Sequence, residues 1–85
     1  MQNRKQIEAN FHPIVISLMK RYRAKHSLSQ EAFARKLKMS ARSYSDLEHG
    51  ITFPSGLTFA LFMTMLDSAE QKEALDELAG NGALK

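Results

Sequence analysis

The chain contains no cysteine. That excludes a disulfide framework and any thiolate zinc site, and it suits a reducing compartment. Long hydrophobic runs are missing too: none, those at residues 13–17 and 51–54 included, comes near the roughly 20 residues that span a bilayer. The polar opening Met1-Gln2-Asn3-Arg4-Lys5 does not lead into a signal peptide with a small-residue cleavage site. A cytoplasmic protein with no membrane partner is therefore expected. His12, His26 and His49 show no metal-ligand spacing, and the carboxylates form no clustered pair. There is no nucleophile–base–orienter set and no glycine-rich phosphate loop. The expectation is a protein that is not an enzyme and holds no metal or cofactor.

What is present is an ordinary globular balance, 44% hydrophobic and 25% charged, which argues against wholesale disorder. Eighty-five residues make one small domain that buries only about 60–65% of its unfolded surface. Any large spare apolar face is then expected to be used. Net charge is +3 but lopsided, with ten Lys or Arg against four acids in residues 1–50 and two against five in residues 51–85. A basic half beside an acidic half suggests a polyanion-facing surface on one side, although a solvated charged face would look similar.

Apolar spacing and cap residues predict an all-α chain of five helices. Residues 1–10 read as a polar lead-in, residues 11–79 as the domain and residues 80–85 as a short tail. Phe11-His12-Pro13 marks the start of a first helix running to about residue 25, since Pro favours a first turn. Ile14, Val15, Leu18, Met19 and Tyr22 recur along it at helical spacing. Ser29 caps a helix over 30–37, and Ser40 caps another over 41–49. Gly50 is a natural stop for the latter. A fourth helix, 55–66, carries apolar residues nearly all round and must be buried or paired. Ser68-Ala69-Glu70-Gln71 has capping-box spacing for a fifth, to about residue 79.

Two short helices joined at Lys38-Met39-Ser40 need a small residue at their closest approach, and Ala34 supplies it. The turn also needs a left-handed residue, for which lysine is a poor choice, at a cost of about 1 kcal/mol. Ser29, Gln30, Phe33, Ala34, Leu37, Met39, Ser40, Tyr44, Ser45, Glu48, Gly50, Pro54 and Ser55 together resemble the phage-repressor (Cro-type, lambda-repressor-like) helix-turn-helix family. The likeness covers about residues 14–66, including Arg23 in the first helix and Phe59, Phe62 and Leu66 in the fourth. Lys38 replaces the family's glycine, and Tyr44 is bulkier than its usual Ile or Val. The resemblance implies a compact five-helix DNA-binding fold whose helices 2 and 3 form the helix-turn-helix.

The family's roles carry over by position. Arg23 and Glu48 would form a structural ion pair between the first and third helices. Ser29 and Gln30 open a helix whose N-terminus meets a phosphate in the family. Ser40, Ala41, Arg42, Ser43, Ser45, Asp46 and His49 would face duplex DNA. Arg42 can donate two bonds to guanine, Ala41 can pack on a thymine methyl, and Asp46 can accept from cytosine N4 or else hold Arg42 one turn away. Ser43 and His49 suit phosphates, and Lys20, Arg21 and Lys25 add diffuse attraction. Leu57, Leu61 and Met65 are left over on helix 55–66 as a dimer or partner surface.

The function implied is a sequence-specific transcriptional regulator, a repressor that reads a palindromic operator in double-stranded DNA as a homodimer. The alternative is an antitoxin or anti-repressor that grips a protein partner through helix 55–66.

Overall fold

The start of each helix is closed by a side chain from the residue just before it. The computed structural model of the chain describes residues 3–80, within which it forms five helices and no strand. They are α1 (Arg4–Lys25), α2 (Gln30–Lys36), α3 (Ala41–Glu48), α4 (Gly56–Met65) and α5 (Ser68–Gly80). Ser29, Ser40 and Ser55 accept from the amides of Ala32, Ser43 and Thr58 at 3.0–3.1 Å, each such cap contributing about 1 kcal/mol.

Both ends of the sequence depart from expectation. Asn3 and Gln6 form a reciprocal capping box, so α1 begins at Arg4 and not near Pro13. Pro13 sits inside the helix, where it removes an amide and costs about 3 kcal/mol in an average interior position. Burial of Val15, Leu18 and Met19 just beyond it offsets that cost. In α5 the cap is Asp67, whose carboxylate accepts from the Glu70 amide at 2.8 Å while its own amide donates to Glu70 at 2.9 Å. The expected Ser68 box is thus displaced by one residue. Of the expected tail, only Gly80 falls within the described residues, as the last residue of α5.

Three helices end in the same hydrogen-bond pattern. After α2, the Met39 amide reaches back to the Ala34 carbonyl and the Lys38 amide to Arg35, with Lys38 at φ +60°. Ser27 (φ +52°) and Gly50 (φ +73°) occupy the same position after α1 and α3. This termination requires a left-handed residue, and only Gly50 adopts that conformation without a Cβ clash.

The core joins all five helices: Val15, Leu18 and Met19 from α1, Phe33 and Ala34 from α2, Leu37 just after it, Tyr44 and Leu47 from α3, Phe62 and Leu66 at α4, and Ala74 and Leu78 from α5. At its centre the Phe33 ring meets Tyr44 edge-on at 5.1 Å and lies 5.6 Å from Tyr22, geometries that add to plain area burial. The helix-turn-helix of α2 and α3 is thereby set against α1 and α4.

Candidate nucleic-acid interface

The third helix is short, and its two large residues, Tyr44 and Leu47, are buried. With those inward, the 3.6-residue period sends Ala41, Arg42, Ser45, Asp46 and His49 to the opposite side. Ala41, Arg42, Ser43 and His49 are exposed, and Ser45 and Asp46 partly so. The fold therefore brings the expected base-facing residues onto one face.

Ser40 does double work, accepting from the Ser43 amide and donating its hydroxyl to Ser43 Oγ at 2.9 Å. His49 Nδ1 lies 2.7 Å from the Ser45 carbonyl oxygen, which makes that nitrogen a donor and leaves Nε2 for another partner. No ion pair joins Asp46 to Arg42 among the described residues. The alternative in which Asp46 holds Arg42 is not what this arrangement shows.

Behind this face sits Glu48. Arg23 Nε donates to its Oε2 at 2.7 Å and Arg23 Nη2 to its Oε1 at 3.1 Å, while Gln30 Nε2 donates to Oε1 at 2.9 Å. The Tyr44 hydroxyl donates to Oε2 as well. Arg23 also reaches the Leu28 carbonyl at 3.2 Å. One carboxylate thus ties together α1, the start of α2 and α3. Burial alone would raise its pKa, but the bonds from Arg23, Tyr44 and Gln30 outweigh this and hold it below the usual carboxylate range. Burial first, and then the Glu48 bond, push the Tyr44 phenol well up. The bond to Glu48 likewise raises Arg23.

Gln30 was expected against a phosphate, yet its amide nitrogen is turned inward to Glu48. Neither that bond nor the Tyr44 bond follows from the family pattern. The Tyr44–Glu48 spacing of four residues on one helix was the available signal, but Gln30 is eighteen residues distant and no local pattern links it. The expected phosphate-facing cations divide. Arg21 pairs with Glu77, and Lys25 with Glu70 at 2.9 Å, so both are engaged by α5. Lys20 instead lines a shallow groove with Ile16, His49 and Phe53 beside the end of α3.

On the expected partner surface, Leu57 is exposed, while Leu61 and Met65 are partly buried and pack on the core. Among the described residues no helix is long and apolar enough to cross a membrane.

A helix pair joined by a tight turn, with one polar, partly basic face and a locked rear, is the architecture of a helix-turn-helix DNA-binding domain. The family model for helix-turn-helix proteins of the HTH_3 type matches residues 19–67, and the chain belongs to that family. Its members are DNA-binding regulatory domains, which makes this chain a DNA-binding transcription regulator. Comparison with curated proteins and with solved structures returned no match.

Proposed function

We propose that the protein is a sequence-specific transcriptional repressor that lays α3 in the major groove of double-stranded DNA, in the cytoplasm, and occupies a palindromic operator as a homodimer. The observation that supports this is the single exposed face of Ala41, Arg42, Ser45 and Asp46, backed by the Glu48 node that fixes α3 against α1 and α2. A reader of base edges must be held rigidly, because a bidentate bond to guanine tolerates little misplacement.

In this reading Arg42 bonds guanine O6 and N7, Ala41 packs on a thymine methyl, and Asp46 accepts from cytosine N4. Ser40, Ser43 and His49 Nε2 contact phosphates, as do the amides at the start of α2 around Ser29 and Gln30. Repression requires no chemistry: a bound operator is simply unavailable to the transcription machinery. Two copies are needed because one short helix reads only a few base pairs, whereas a two-fold pair reads half-sites about one helical turn apart.

Arg42→Ala tests the assignment. On a selected operator it should weaken binding by about 1–3 kcal/mol and relax preference at one base-pair position per half-site. Unchanged affinity and unchanged base preference would remove α3 from the groove.

A further inference from the structure

Ser27, Lys38 and Gly50 all end a helix in the left-handed conformation, but only Lys38 sets a long, charged side chain there. At φ +60° it carries the Cβ penalty that glycine escapes. Leu37 before it is buried and Met39 after it packs on the core. Lys38 itself is exposed, and its ammonium has no ion pair among the described residues. Nor does α2 need it as a counter-charge, because Arg35 and Lys36 in the last turn already meet the helix dipole. A strained residue that gives the fold nothing in return points to function.

The charge around it points the same way. Residues 32–45 hold four cations, Arg35, Lys36, Lys38 and Arg42, and no carboxylate. All four are exposed, and none is in an ion pair among the described residues. On α1, by contrast, Arg21 and Lys25 are neutralised by Glu77 and Glu70 of α5.

The place of the turn sets which anion it meets. Lys38 comes two residues before Ser40, the cap of α3, and four before Arg42. A recognition helix presents its N-terminal residues to base edges in a groove about 12 Å wide, walled by phosphates. With Arg42 turned to the bases, the residue that leads into α3 lies at one wall.

We propose that Lys38 binds a backbone phosphate beside the groove that α3 enters, and that its strained conformation is kept for this contact. The proposal rests on the DNA reading of α3. A lysine ammonium on a flexible stem is a point charge, which neutralises a phosphate without reading the base beside it. Lys38 therefore adds affinity for any duplex and leaves base preference to Arg42. Fold and binding then respond to its loss in opposite directions.

Binding of the full chain to a selected operator and to an unrelated duplex, between about 50 and 200 mM salt, tests this beside thermal melting. Lys38→Gly should melt higher than wild type. It should nevertheless lose affinity for both duplexes by the same factor, and its slope of log affinity against log salt should fall by about one per bound copy. Its deficit should be about threefold larger at the low-salt end than at the high-salt end. Lys38→Asn, neutral and tolerant of the left-handed region, should lose the same slope. Lys38→Arg should keep it.

Wild-type affinity and slope in Lys38→Gly would overturn the proposal while leaving α3 in the groove. An equal loss in Lys38→Gly and Lys38→Arg would overturn it too, by assigning the effect to the shape of the turn. So would a Lys38→Gly chain that melts below wild type, because Lys38 would then serve the fold. A wild-type chain with no salt-dependent affinity for either duplex would remove the DNA reading itself, and this contact with it.

Discussion

Two carboxylates, Glu48 and Glu70, each gather donors from α1, but they sit in different surroundings and hold different things. Glu48 is only 7% exposed and takes a two-pronged bond from Arg23, plus bonds from Gln30 and Tyr44. Glu70 opens α5, closing the box with Asp67 and accepting Lys25 Nζ at 2.9 Å and His26 Nε2 at 3.0 Å from side chains that are themselves well exposed. The first fixes α3 against α1 and the start of α2. The second pins α5 to the end of α1. Both carboxylates are largely covered, at 7% and 11% exposed, but the donors to Glu48 are themselves part-buried and lose more from a missing partner, whereas pairs to exposed cations are individually worth little.

The largest effect should therefore come from Glu48→Ala, which strands the Arg23 guanidinium, the Tyr44 hydroxyl and the Gln30 amide. A loss of about 2–3 kcal/mol is expected in urea unfolding, together with loss of operator affinity in whatever fraction remains folded. A loss below about 1 kcal/mol would show the node to be as dispensable as a surface pair.

Glu70→Gln keeps the shape of the cap and should cost only about 1 kcal/mol, with operator affinity unchanged. The Asp67 amide, His26 and Lys25 hold the Glu70 carboxyl down to about 2. A carboxyl depressed in the folded state adds stability that is fully present above its unfolded value, about 4.3, and lost as pH falls toward the folded one. Wild-type stability should thus fall between about pH 4.5 and pH 2, with Glu48 acting in the same direction. Glu70→Gln should flatten part of that decline, and an identical acid profile in the variant would contradict the assignment.

Lys38→Gly is the smallest. Relief of the left-handed strain, less the extra chain entropy of glycine, should stabilise by about 0.5–1 kcal/mol.

Much of this was legible in the chain. Ser29 and Ser40 mark helix starts by side-chain chemistry alone, Gly50 marks a stop by its freedom of backbone, and Phe33, Ala34, Leu37, Tyr44 and Leu47 mark the shared core by spacing. The strained role of Lys38 followed from its place in the turn. Other features were hidden for physical reasons. Pro13 imitates a helix start, while the true capping box at Asn3 precedes a basic first turn that opposes the helix dipole. Asp67 and Ser68 each have a partner three residues on, Glu70 and Gln71, so spacing alone does not choose between them. Around α4 the apolar residues leave no period to show which side faces outward, and only packing separates Leu57 from Leu61 and Met65. The Gln30 bond to Glu48 depends on a long-range approach that no local signal carries.

The most direct test of the central claim is selection of bound duplexes from a random pool by the full chain, followed by binding to the enriched sequence at several salt concentrations. Two related half-sites centred about one helical turn apart should emerge, with affinity falling steeply as salt rises because phosphate contacts release counterions. No enriched sequence at low salt would contradict the assignment of α3 as a reader of DNA.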